Sequence, residues 1–265
     1  MTTRYEAIDA AAARIRRAHE TRTPARNLRD LLDGSDVDAG YAVQEINTGH
    51  WLESGRRLVG RKIGLTSRAV QSQLGVDQPD YGMLWADMAY ADGEPIPFHR
   101  TMQPRAEGEI AFVLERDLTH ADVVITDAIA AIAYALPAIE IVGSRVENWD
   151  IQILDTIADN ASSGLFVLGT QPRKLSDFDP RLCGMVMERR GDPISVGAGA
   201  ACLGNPLTAV TWLARKMVEV GSPLRAGDIV LSGALGPLAP IAPGDVVECR
   251  INGLGAVRAV FEEEA

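Results

Sequence analysis

The run Arg105-Ala-Glu-Gly-Glu-Ile-Ala-Phe-Val-Leu114 constrains this chain more than any other segment. Its β-branched and aromatic second half reads as a strand. Side chains alternate across a strand, so Glu107 and Glu109 leave from the same face as Ala111 and Val113. Two carboxylates so close repel each other unless they are solvated or share a positive charge. A third, Glu140, stands in Pro137-Ala-Ile-Glu-Ile-Val142, where burying an unpaired charge costs several kcal/mol. Two readings are open on spacing alone. Three carboxylates with no His or Cys nearby suit a hard, oxygen-seeking divalent ion such as Mg²⁺ or Mn²⁺. Alternatively, Glu107 and Glu109 form a solvated strand face and Glu140 pairs with an arginine such as Arg145.

The rest of the chain frames that strand as part of an α+β fold, a helical N-terminal segment (1–56) attached to a β-rich core with interspersed helices (57–265), together one structural unit. Arg4–Ala18 reads as a helix interrupted by Thr23-Pro24, and Asp36 caps a second helix through Tyr41, Ile46 and Trp51 to Gly55. Leu58–Gly64 reads as a strand, Ser67–Leu74 as a short helix capped by Thr66, and Gln78–Gly82 as a loop. A helix near Asp127–Leu136 precedes a strand at Ala138–Val142. Met185–Val196 reads as a hairpin around Gly191-Asp192. A helix opens at Asn205-Pro206 and stops at Gly221. Strands at Ile229–Leu231, Val246–Ile251 and Ala256–Phe261 close the chain, the last two joined by Asn252-Gly253.

Composition narrows the function. The 265 residues carry 26 Lys and Arg against 36 Asp and Glu, a net charge of −10 with no basic stripe, which argues against nucleic acid and anionic membranes as partners. The most apolar stretch, Ala128–Val142, is broken by Pro137 and Glu140 and is shorter than the ~18 residues a span needs. The first twenty residues lack the apolar core of a signal peptide. Cys183, Cys202 and Cys249 are odd in number and far apart, which fits a reducing cytoplasm and excludes a zinc knuckle. Gly197-Ala-Gly199 lacks the third glycine of a dinucleotide loop, and Ser232 lacks the glycine at position 230 that a nucleophile elbow requires. The four histidines show no metal-binding spacing. Chemistry therefore falls to carboxylates, lysine, metal and water. Lys62, in Gly60-Arg-Lys-Ile-Gly64, is either a proton-transfer group or a strand-end surface charge. Asp80 is either functional or a routine turn residue. Asp159-Asn-Ala-Ser-Ser-Gly164 is either an ordinary turn or a place where small residues let N–H and hydroxyl groups approach a carboxylate. Ser232–Gly236 has the same two readings.

Taken in order, Lys62-Ile-Gly-Leu-Thr-Ser67, Gly75-Val-Asp-Gln-Pro-Asp-Tyr-Gly82, Gln103-Pro-Arg-Ala-Glu-Gly-Glu-Ile-Ala111, Ser144-Arg-Val-Glu-Asn-Trp149, Asp155–Gly164 and Leu213-Ala-Arg-Lys-Met217 resemble the 2-hydroxydienoate hydratases. These form part of the hydratase/decarboxylase branch of the fumarylacetoacetate hydrolase superfamily. The resemblance runs from about the Tyr41 helix to the last strand. It implies a mixed, twisted β-roll core and assembly into pentamers or decamers. It places the metal triad on Glu107, Glu109 and Glu140, with Mg²⁺ or Mn²⁺ as cofactor. The catalytic lysine falls on Lys62, the loop aspartate on Asp80, and the carboxylate-binding turn on Asn160, Ser162 and Ser163. The implied activity is hydration of 2-hydroxypenta-2,4-dienoate to 4-hydroxy-2-oxopentanoate in cytoplasmic meta-cleavage catabolism, where a pathway aldolase or decarboxylase is an implied contact. Decarboxylation of 2-oxo-3-hexenedioate, acylpyruvate C–C hydrolysis and a non-catalytic subunit role are the rivals. The apolar run of Tyr81, Met83, Leu84 and Trp85 beside Asp80 predicts a distal pocket without Lys or Arg, which favours the hydratase. One departure from relatives is Gly108, where alanine is usual; a glycine there predicts a less stiff strand.

Overall fold

The computed structural model describes residues 3–68, 71–72 and 76–263. The expected helix over 67–74 lies partly outside the described residues. Two helices form the N-terminal layer, α1 (Arg4–Thr21) and α2 (Val37–Glu53). Thr3 and Glu6 close a capping box on α1, and the Asp36 carboxylate accepts the Ala39 amide at the start of α2. Ile8, Ala12 and Ile15 of α1 share a small core with Val43 of α2 and with Leu154.

Thirteen strands follow among the described residues. The first are β1 (Leu58–Gly64), β2 (Asp80–Trp85), β3 (Ala89–Ala91), β4 (Pro95–Ile96), β5 (Arg105–Leu114), β6 (Ile132–Val142) and β7 (Leu165–Leu168). After them come β8 (Gly184–Arg189), β9 (Asp192–Ala198), β10 (Ile229–Leu231), β11 (Ala239–Pro240), β12 (Val246–Ile251) and β13 (Gly255–Phe261). One sheet runs β2-β1-β10-β5-β6-β7-β3, with β11 on β5; the other runs β4-β13-β12-β8-β9. Ile110, Phe112, Ile139 and Phe166 of the first share one core with Met185, Cys249 and Val257 of the second. Among the described residues, helices α3 (Ile125–Ala131), α4 (Ile153–Ala158) and α5 (Pro206–Glu219) connect strands. Asn205 caps α5 through the Leu207 amide, and Pro206 stands at its first position. None of the described helices is long and apolar enough to cross a membrane.

Two segments depart from the sequence reading. The Ala-rich stretch 132–136 is strand, because pairing with β5 (Ala135 opposite Phe112) overrides its helical propensity. Pro137 sits where the β7 ladder ends, its carbonyl accepting the Gly169 amide at 2.8 Å. Asp80 is the first residue of β2 and lies opposite Gly64 of β1, so it belongs to a rigid ladder and not to a loop.

Gly108 has a packing cause. A Cβ there would lie 2.7 Å from Cys249 Sγ and 3.0 Å from Met185 Sδ, so the facing sheet fills the space an alanine would take. Gly108→Ala should therefore cost about 1–3 kcal/mol by overpacking. Cys249→Ala in the same chain should recover much of that loss, a coupling that urea denaturation of the four-member cycle would measure. Additive costs would show that the two positions do not compete for space.

Candidate active-site cavity

Glu107 lies directly opposite Glu140 across the β5–β6 ladder, and Glu109 follows two residues on along the same face. Like charges facing each other in a sheet destabilise it. Glu109 and Glu140 are fully buried. One oxygen of each glutamate lies within 4.8 Å of the others'. Glu109 Oε2 accepts the Gly233 amide at 2.8 Å, but Glu109 Oε1 and Glu140 Oε1 have no hydrogen-bond partner among the described residues, and Glu140 Oε2 has only the Lys62 ammonium near it. Gly233 adopts φ +101°, in the left-handed region, as it turns its N–H inward after β10.

Lys62 enters from β1. Its Nζ lies 3.3 Å from Glu140 Oε2 and donates to the Ala161 carbonyl at 3.1 Å. Burial alone would lower this ammonium, but Glu140, Glu107, Asp80 and Glu109 outweigh it and hold the group above its ordinary value. Asp80 is buried beside it, with Oδ1 unpartnered. A Cβ on Gly64 would collide with that carboxylate and would stand 3.5 Å from Lys62 Nζ. Burial pushes Asp80 up to about 6, with Lys62 opposing and Glu140 reinforcing the shift. Burial likewise raises Glu107 to about 7 and Glu109 well above the usual carboxylate range, Glu140 adding to both.

Four carboxylates thus face one ammonium, and a buried oxygen on each of Asp80, Glu109 and Glu140 lacks a donor among the described residues. Oxygen-only donors with excess negative charge fit a hard divalent cation. The alternative pairing of Glu140 with Arg145 does not occur: Arg145 forms a buried ion pair with Asp159. Without a cation, the raised carboxylates make the folded protein bind more protons than the unfolded chain. Below about 4.5, the ordinary glutamate value, both states are protonated and the penalty vanishes. As pH rises from there through about 7, metal-free protein should lose stability progressively, and saturating Mg²⁺ should flatten the trend. Chemical denaturation across that range, with and without chelator, checks the sign.

The site opens into a cavity of about 460 Å³ lined by Lys62, Asp80, Glu107, Thr66, Ser162 and Arg105, among others. Its walls are strained: Leu65, Trp149, Ala161 and Ser162 all have φ between 52° and 55°. The turn over 160–162 is left-handed throughout, which delivers the Ala161 carbonyl to Lys62 and Ser162 to the cavity. Asn160 and Ser163 do not join Ser162. The Asn160 amide clamps the backbone of Met83 (2.7 and 2.9 Å), and Ser163 faces a different cavity. Tyr81, Met83, Leu84 and Trp85 lie in the core and line none of this cavity. The expected absence of a cation is also corrected. Arg105 borders the cavity, its guanidinium 4.4 Å from the centre of the Trp149 ring. It shares a strand face with Glu107, a parity that would have placed it here from sequence. Gly233 carried no comparable signal, because its contact with Glu109 is made only by the fold.

A model of the fumarylacetoacetate (FAA) hydrolase C-terminal family matches residues 55–262. A TodF product hydratase of Pseudomonas putida is 59% identical over 98% of this chain and 97% of its own. A 2-keto-4-pentenoate hydratase of Paraburkholderia xenovorans is 53% identical over 95% and 94%. Among solved structures, a 4-oxalocrotonate decarboxylase from Pseudomonas putida G7, complexed with magnesium and adipate, superposes with TM-score 0.92 at 34% identity. That match covers 98% of this chain and 99% of the other.

Proposed function

Because the chain belongs to the fumarylacetoacetate hydrolase family, we propose that it is a metal-dependent hydro-lyase converting 2-hydroxypenta-2,4-dienoate (2-keto-4-pentenoate) to 4-hydroxy-2-oxopentanoate. The observation that carries the reading is the convergence of Glu107, Glu109 and Glu140 beside Lys62 and Asp80, with Glu109 Oε1 and Glu140 Oε1 buried and unpartnered among the described residues. The three glutamates would hold Mg²⁺ or Mn²⁺. When bound, such an ion supplies positive charge for the enolate of the 2-oxo acid and a template for its carboxylate.

The remaining work belongs to the chain. The reaction moves the 2-hydroxyl proton off and delivers a proton to C5, then adds water across C3–C4, with hydroxyl on C4 and hydrogen on C3. Asp80, with a carboxyl raised to about 6, is suited to take and return protons near neutrality. Lys62 stays protonated and faces the oxygen that carries the developing negative charge. Ser162 donates to the substrate carboxylate, while Asn160 acts on it indirectly by holding the turn against Met83. The apolar walls at Leu65, Ile151 and Leu238 receive the C4–C5 end and exclude bulk water. A homo-oligomer in the cytoplasm, serving meta-cleavage catabolism, completes the reading.

Arg105 favours a second reading, decarboxylation of 2-oxo-3-hexenedioate, since a cavity cation could receive that substrate's second carboxylate. Sequence identity above one half to hydratases outweighs it. Purified protein with Mg²⁺ should hydrate the dienoate with kcat/KM at least ~100-fold above that for decarboxylating the dicarboxylate, a gap of ~2.7 kcal/mol. Product analysis showing comparable efficiencies, or mainly CO₂ release, would reverse the choice.

A further inference from the structure

On the other side of the Asp159–Gly164 turn lies a second cavity, of about 80 Å³, between α1, α2 and the first sheet. Where the first cavity gathers carboxylates, this one gathers arginines: Arg16, Arg22, Arg56, Arg100 and Arg145 border it, against Asp87 and Asp159. Two of the guanidiniums are neutralised. Arg145 pairs with Asp159, and Arg56 meets Asp87 at 2.9 Å. The other three have only neutral partners among the described residues. Arg16 donates to Asn47 Oδ1 at 3.0 Å, Arg22 to the Arg100 carbonyl, and Arg100 to the Asp87 carbonyl at 2.9 Å. The buried Arg100 Nε has no partner. Neither has the Ser163 hydroxyl, on a side chain only 5% exposed.

Surplus positive charge around a partly buried space destabilises the fold unless an anion shares it. The Arg22 guanidinium is itself pushed down by burial and by the neighbouring Arg100 and Arg145. His19, on the same wall, is lowered to about 3 by burial and by Arg145, Arg56 and Arg22, so it adds no charge near neutrality. The space exceeds the ~10–15 Å³ that one water needs, yet it is far smaller than the cavities of a few hundred Å³ and more that take organic ligands.

We propose that this cavity binds one small inorganic oxyanion of the phosphate or sulfate class, held by Arg22, Arg100 and the Ser163 hydroxyl. The ion braces the left-handed turn from behind, on the side opposite the one that presents Ala161 and Ser162 to the first cavity. The inference is independent of the hydratase reading, because it concerns a separate cavity and is tested by binding.

Calorimetric titration of the Mg²⁺-loaded protein with inorganic phosphate, at constant ionic strength balanced by chloride, should show one saturable site per chain. The double variant R22Q/R100Q should weaken phosphate at least ~10-fold, about 1.4 kcal/mol, with unchanged Mg²⁺ affinity. That last readout separates this site from phosphate held on the metal, which the double variant would retain. If the double variant does not fold by circular dichroism, R22Q alone carries the comparison, since Arg22 is exposed on its outer side. Wild-type protein with no saturable binding at ~10 mM phosphate, enough to fill even a ~1 mM site, would overturn the proposal. Undiminished affinity in the variants would do the same.

Discussion

Glu109→Gln should lower kcat/KM by at least ~10³, about 4 kcal/mol of transition-state stabilisation, and yet make the metal-free protein more stable. The two effects have one cause. Glu109 is fully buried, lacks a partner at Oε1, and is raised well above the usual range by burial and then by Glu140 and Glu107. Folding without a cation therefore requires protonating it or burying its charge. Glutamine keeps the volume and can still accept the Gly233 amide, but it carries no charge to desolvate. Relief of about 1–3 kcal/mol at pH 7 is expected. The same change removes one of the three proposed anionic ligands, so the gain in stability expected from Mg²⁺ in the wild type should largely vanish. Thermal denaturation with and without chelator checks this. A variant less stable than wild type in chelator would mean that Glu109 contributes to the fold by itself.

Lys62→Met is expected to act with the opposite sign on stability. Among the described residues Lys62 is the one cation paired with Glu140, and removing it leaves that buried carboxylate opposite Glu107 without this offset. Breaking a buried pair from one side costs about 3–5 kcal/mol, and methionine supplies bulk but no charge. Turnover should fall at least ~10²-fold, in the range typical of losing a group that acts on proton or charge transfer. Saturating Mg²⁺ should restore much of the stability, because it neutralises the glutamates, while leaving turnover low. Recovery of both together would show that Lys62 only balances charge.

The parts of this molecule legible in its sequence are those set by local rules. Strand parity put Glu107 and Glu109 on one face, and the Asn205-Pro206 start fixed the register of α5. Strands β1, β5, β10 and β12 begin and end where turn residues and β-branched runs say they should. What escaped depends on partners distant in sequence. Residues 132–136 look helical until β5 pairs with them, and Asp80 looks like a turn until Gly64 stands opposite. The family resemblance implies one binding turn at Asn160, Ser162 and Ser163, but its left-handed backbone sends Ser162 and Ser163 into different cavities. The aromatic and apolar side chains after Asp80 alternate into the core, not into the site, so the nearest residues in sequence misidentified the cavity wall.

The claim on which the account rests is that the glutamate cluster works through a bound divalent ion. Protein stripped with excess chelator should leave the ultraviolet absorbance of 2-hydroxypenta-2,4-dienoate unchanged beyond the uncatalysed rate. Adding Mg²⁺ or Mn²⁺ in excess of the chelator should restore its decay, with 4-hydroxy-2-oxopentanoate as the product. Full turnover by the metal-free protein would contradict the account at its centre.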